Sequence, residues 1–281
     1  MAARARPGAS ERAASPGAAG MDSSGPIRIP GRTAVPGRDL VAYLAAAGLV
    51  VAVAAAAAEL LAGPGTRIGW WPFPTGIAIL SWAAYGGIAG AAVSFAAGVA
   101  ARPGSGRAGA RIAVAGLLLG LAAAAVPWSY LRIAKSVPAI HDITTDTENP
   151  PGFSVLLPVR RDAPNGADYG GPEVAAKQRA AYPDVKSAHL PVSPREAFDR
   201  ALAAAQKMGW TIAAADPASG SIEATATTFW FGFKDDVVVR VAPEGTGSRV
   251  DVRSVSRVGV SDLGTNARRI RNYLRTLSGA A

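Results

Sequence analysis

The chain has 281 residues, of which 49% are hydrophobic and 17% charged, and its formal net charge is +9. That charged share lies below the ~25% usual in soluble domains and points to membrane segments. The absence of cysteine excludes disulfides, thiolate metal sites, iron–sulfur clusters and a cysteine nucleophile, and two histidines, His141 and His189, are too few for a histidine-rich metal centre.

The charge is unevenly placed. Residues 1–135 carry +8 and residues 136–281 carry +1. A nucleic-acid-binding domain concentrates its excess on a folded face. Here the excess flanks apolar runs, as in membrane proteins, so no nucleic-acid partner is expected.

Residues 1–37 are rich in Ala, Gly, Pro, Ser and Arg and carry almost no large apolar side chain. Such a segment cannot offset its ordering entropy, which predicts a disordered tail, with Met1 or Met21 as the start. Residues 38–135 then read as a three-helix membrane domain, with spans at about 40–62, 75–101 and 112–133. Each run is long enough to cross ~30 Å of hydrocarbon at ~1.5 Å per residue. Trp70 and Trp71, then Trp128 and Tyr130, mark interface depth, and Pro127 is a candidate kink. A cleaved signal peptide fits poorly, because two further spans follow the first. Small residues at every fourth position, Gly86, Gly90 and Ser94, then Gly116, Gly120 and Ala124, offer faces for close packing. Glu59 is placed near the end of the first run, so no acid or base is expected mid-span. That argues against transport by these helices alone and for a simple anchor.

Lys and Arg near the span ends set orientation. Arg28, Arg32, Arg38, Arg102, Arg107 and Arg111 lie on one side; Arg67, Arg132 and Lys135 lie on the other. The N-terminus is then cytoplasmic, the chain is integral to the inner (plasma) membrane, and the C-terminal domain is extracytoplasmic.

Residues 136–192 read as an extended, loop-rich arm packed along an α+β domain at 193–281. Ser193-Pro194-Arg195-Glu196 opens a helix with a capping box, and Phe198, Ala201, Leu202, Ala205 and Met208 form its apolar stripe before Gly209 ends it. Strands follow at 210–213, 221–231, 236–241 and 249–258, the last two joined at Glu244-Gly245-Thr246-Gly247. Ser261 or Asp262 caps a final helix with a stripe at Ala267, Ile270, Leu274 and Leu277. The pattern predicts a two-layer domain, an antiparallel sheet of about four strands with two helices on one face. Ile222, Ala224, Ala226, Val237, Val239, Val241, Val250 and Val252 point inward. Glu223, Thr225, Asp236, Arg240, Arg249, Asp251, Arg253 and Arg257 point outward, as a solvated face with cross-strand ion pairs or as a platform for an anionic ligand or a partner strand.

Several stretches carry a family resemblance: His141-Asp142-Ile143-Thr144-Thr145-Asp146 with Asn149-Pro150-Pro151, Tyr182-Pro183, Gly220-Ser221-Ile222-Glu223-Ala224, the run from Phe231 to Arg240, Arg249 to Ser254, Arg257 to Gly264, and Asn266 to Ile270. Together, over about residues 138–278, they resemble the domain-of-unknown-function family 1499. That resemblance implies a bacterial or plastid envelope setting and no established activity.

The candidate ligand-binding groups are His141, Asp142, Asp146, Asp235, Asp236, Arg253, Arg257, Asp262, Asn266 and Arg269. His141, Asp142 and Asp146 could ligate a metal but are also ordinary turn formers, and no metal or cofactor is expected. Asp235 and Asp236 could form an acid–base pair, although adjacent strand residues face opposite ways. Arg253, Arg257, Asp262, Asn266 and Arg269 could hold an anion at a helix N-terminus or simply pair with one another. Phe229, Trp230, Phe231 and Phe233 cannot all face a core by alternation and form a candidate interaction surface. The sequence thus favours a non-enzymatic, membrane-anchored envelope protein whose outer domain binds a small anionic ligand or an envelope protein. A hydrolase-like enzyme using the arm acids or Asp235-Asp236 is the alternative.

Overall fold

The computed structural model describes residues 36–105 and 108–279. Residues 1–35 of the expected tail, with Arg28 and Arg32, lie outside the described residues, as does Arg107 of the second loop. Three helices come first: α1 (Pro36–Arg67), α2 (Phe73–Ala100) and α3 (Ala110–Ser136). Each is long and apolar enough to cross a membrane. Their outer surfaces expose Leu, Val, Ile and aromatic side chains, as a lipid-facing surface requires.

The buried residues follow a spacing of alternating three and four. On α1 these include Val41, Ala45, Gly48, Ala52, Ala55, Glu59 and Ala62, with Gly63 and Gly65 also buried near its end. On α2 they include Ala83, Gly87, Gly90, Ser94 and Ala97, and on α3 Ala113, Gly116, Gly120, Ala123 and Pro127. Such a seam is the signature of left-handed packing, and Ala and Gly along it let the backbones approach closely. The every-fourth-residue stripes are only partly matched: Gly87 rather than Gly86 faces α3, where it meets Gly120 and Ala123, while Gly86 faces Ala55 of α1, because a repeat of four drifts around a supercoiled interface. Gly48 and Gly116 bracket Ser94, and a methyl group on either would fall within 2.4 Å of its hydroxyl. α1 also continues past Ala62, through Pro64 to Arg67. Glu59 is thereby a buried member of the seam, two turns inside the helix, rather than a group at the end of a span.

Beyond α3 a short link leads into a mixed domain. Its strands are β1 (Asp142–Thr144), β2 (Ala188–Leu190), β3 (Thr211–Asp216), β4 (Ser221–Thr227), β5 (Lys234–Glu244) and β6 (Gly247–Ser256). All pairings are antiparallel, in the order β1-β6-β5-β4-β3, with β2 pairing the other end of β6. The sheet therefore has six strands, because the arm adds β1 and β2 to the four expected. The arm also carries two helices, α4 (Leu157–Arg161) and α5 (Gly171–Ala181). Gln178 of α5 both donates to the Thr144 carbonyl and accepts from the Thr144 amide, as a further strand would.

The last two helices are α6 (Pro194–Lys207) and α7 (Thr265–Leu277). The Ser193 hydroxyl caps α6 by accepting from the Glu196 amide, and Gly209 closes it with φ of 71°. Phe198, Ala201, Ala205, Ala267, Ile270, Tyr273 and Leu277 pack on the inward Ile222, Ala224, Val237, Val239, Val250 and Val252. Tyr273 stacks on Trp210 and donates to the Ala201 carbonyl. Gly245 and Thr246 turn β5 into β6, with φ of 57° at Gly245.

Much of the other sheet face is covered. Residues 153–167 lie across it, and Phe153 and Leu156 pack on Val238 and Val255. The expected two layers become three over this part of the sheet.

Candidate functional site

The charged face carries three ionic clusters beneath the arm. Arg160 of α4 is fully buried; it donates to Asp236 Oδ2 at 3.0 Å and to the carbonyls of Val255, Asn165 and Gly166. Arg257 grips the same Asp236 through both carboxylate oxygens, and Thr225 donates to it as well. Arg253 makes a two-bond clasp with Asp142, at 2.9 and 2.7 Å, and donates to the Pro151 and Ala167 carbonyls. Its guanidinium lies over the Phe153 ring, as does that of Arg160. Asp146 and Asp251 are each shared by Arg240 and Arg249.

Glu223 was not singled out, yet it holds the arm in place. Its carboxylate accepts from the amides of Ser154, Val155 and Leu156 and from the Ser154 hydroxyl. Burial opposes its charge, but the hydroxyl and the three amides outweigh that and hold the carboxyl below its usual range. Asp236 follows the same logic: burial raises it, and Arg257, Thr225 and Arg160 bring it down on balance. At Asp146 burial likewise opposes, and the Asn149 and Glu148 amides with Arg249 and Arg240 prevail. The sequence signal for this covered face was the pair Val238 and Val255, two apolar residues among outward charges. Arg160 gave no signal, because it lies in a segment with no strand or helix periodicity of its own.

Asp235 and Asp236 do not converge. Asp235 turns to the helix side, where Arg269 pairs with it. Asn266 links Arg269, Ser254, Ser256 and the His141 carbonyl in one buried network. His141 enters these clusters through its backbone, by its carbonyl. Asp262 serves the N-terminus of α7, accepting from the Gly264 and Asn266 amides. Burial pushes its carboxyl up, and the amides only partly counter that. The ten polar candidates are thus partitioned between two opposite faces of the sheet, and the acids among them are engaged by arginines or amides. Among the described residues, no group of three His, Asp or Glu could hold a metal ion.

The aromatic run does come together, and against the first two apolar helices. Arg67, at the end of α1, donates to the Thr228 and Phe229 carbonyls. Trp230 lies so close to Gly63 that a methyl group there would fall 2.3 Å from the indole. Phe231 stacks on Phe233 at 5.1 Å between centroids, Phe233 meets Phe73 edge-on, and Phe231 borders Gly76. Gly232, with φ of 70°, lets the loop pass over the Arg67 side chain. Three of the four rings are therefore half-buried, while Phe229 remains 92% exposed. Nearby, a shallow depression of about 300 Å³ is lined by Trp210, Thr227, Thr265, Arg268, Arg269 and Asn272.

Residues 142–277 match the model of the family described as "Protein of unknown function (DUF1499)". That interval begins with β1 and ends with the last residue of α7, so it contains the whole sheet and both of its covers. No curated protein matches the chain.

Proposed function

The C-terminal half of the chain is a member of this family, joined to three helices fit to cross a membrane, and from that premise we propose an envelope protein whose extracytoplasmic domain is held at the bilayer surface and binds an anionic ligand there. The observation that carries this reading is the clasp of Arg67 on the Thr228 and Phe229 carbonyls, with Trp230 seated on Gly63. It ties the β4–β5 loop to the α1–α2 turn, next to Trp70 and Trp71, which are residues of the membrane interface. Exposed Phe229 then meets the headgroup region, and the bilayer is its partner. Thr227, beside the clasped Thr228, lines the depression with Arg268, Arg269 and Asn272. Its lining contains no acid; Arg269 is paired with Asp235 beneath it, while the exposed Arg268 donates to the Leu263 carbonyl and the Thr265 hydroxyl, which favours a phosphate or carboxylate presented to Arg268 at headgroup depth.

The Lys and Arg tally supports a cytoplasmic N-terminus and an inner (plasma) membrane location. The hydrolase-like alternative has less support, because Asp142, Asp146, Asp235 and Asp236 are all paired with arginines.

The test uses full-length protein in detergent micelles with dihexanoyl phosphatidic acid as probe, read by native mass spectrometry. Wild-type protein is expected to retain the lipid, and Arg268→Gln to lower its affinity at least about fivefold, the loss of one charge-assisted hydrogen bond. Equal retention by both proteins would remove the depression as the site.

A further inference from the structure

We propose that Glu59 is an intramembrane proton-binding site, closed toward the domain by the indole of Trp230. Glu59 is 6% exposed, and its Oε1 atom is buried without a hydrogen-bond partner. A carboxyl in this setting must carry a proton or hold a cation, since an isolated charge in hydrocarbon is strongly disfavoured. Among the described residues, the helix register brings no cation to the level of Glu59. Gly48 faces Ser94 and Gly86 faces Ala55, which sets Glu59 at the level of Ala83 of α2. Gly87 faces Gly120 and Ala123, which brings Pro127 of α3 to the same level. α2 has no ionisable group other than Tyr85, which is exposed. Arg132 and Lys135 lie exposed near the end of α3, and Arg67 of α1 is engaged by the Thr228 and Phe229 carbonyls.

The same geometry defines an entrance. Glu59 and Gly63 are four residues apart and share one face of α1. The ring of Trp230 fills the place of a Gly63 side chain, one turn above the carboxyl on the domain side. Pro127 supplies no backbone N–H, so the Ala123 carbonyl lacks its usual helical donor beside this level of the seam. A protonated carboxyl and a carbonyl short of a donor are complementary groups in a medium without water.

Carbodiimides distinguish a protonated carboxyl by its surroundings, because the acid O–H adds across a C=N bond without a leaving group. Full-length protein in liposomes would be treated at neutral pH with dicyclohexylcarbodiimide, which partitions into lipid, or with a water-soluble carbodiimide, and the adduct located by peptide mass spectrometry. The lipid-soluble reagent is expected to label Glu59, and the water-soluble one to leave it unmodified. Trp230→Ala, and independently Gly63→Ala, should raise labelling by the water-soluble reagent at least about tenfold, while Glu59→Gln removes the adduct. Two different substitutions on the two sides of one contact separate the plug from a folding defect in either. The proposal falls if the lipid-soluble reagent leaves wild-type Glu59 unmodified, or if the water-soluble reagent labels wild-type and both variants alike.

Discussion

The two faces of the sheet are covered by different chemistry. Under α6 and α7 lie Ile222, Val237, Val239, Val250 and Val252, which gain stability from removal of apolar area from water. Under the arm lie Arg160, Glu223, Asp236, Asp251 and Arg253, all buried. Charges removed from water are stable only when each finds its partners, so this face depends on geometry where the other depends on area. The part of the arm that covers this face, residues 153–167, has few apolar contacts to hold it, with Phe153 and Leu156 as its buried anchors. Its attachment rests on the Glu223 carboxylate and the Arg160 fan of bonds.

Acid should separate the faces most strongly. Asp146, Glu223 and Asp236 are held below their usual ranges. A depressed carboxylate stabilises the fold fully above its unfolded value, about 4, and that contribution is lost as pH falls through the depressed value. Asp262 at α7 has the opposite sign: its raised value favours the fold below the ordinary range, and the benefit disappears as pH rises through the raised value. Protection factors of the Ser154, Val155 and Leu156 amides are expected to collapse between neutral pH and about pH 3, before those of α7. Simultaneous loss on both faces would erase the distinction.

Arg160→Met is the next largest effect. It leaves the buried Asp236 with Arg257 as its one remaining arginine, beside the Thr225 hydroxyl, and should destabilise the protein by about 3–5 kcal/mol in chemical denaturation. Adding Asp236→Leu should recover a large part of the loss, because the uncompensated charge goes with it. A double variant no more stable than the single one would mean that the arm is held by something other than charge. Ile270→Val on the opposite face should cost only about 0.5–1.5 kcal/mol, with no dependence on pH. A marked pH dependence in that variant would show that the faces are coupled.

The apolar face was legible in the sequence and the ionic face was not. Alternation over Ile222–Ala226 and Val237–Val241, and the stripes of Phe198 and Ile270, are local patterns with a fixed period. The partners of Asp236 and Glu223 lie 76 and 67–69 residues away in the arm, and no local period encodes such pairings. The outward charges therefore read as a solvated face or a platform for a ligand or partner strand, and neither reading includes a cover supplied by the arm. Asp262 at the start of α7 was legible because its bonds reach only two and four residues ahead. In the membrane helices the apolar runs were plain, but where Glu59 points depends on a seam whose register only packing reveals.

The seating of Trp230, Phe231 and Phe233 on α1 and α2 has a practical consequence. Severed from its helices, the C-terminal half would uncover three rings at once on a single loop, and such a fragment would self-associate through them. The helices act on this view as a lid for the domain as much as a tether to the lipid.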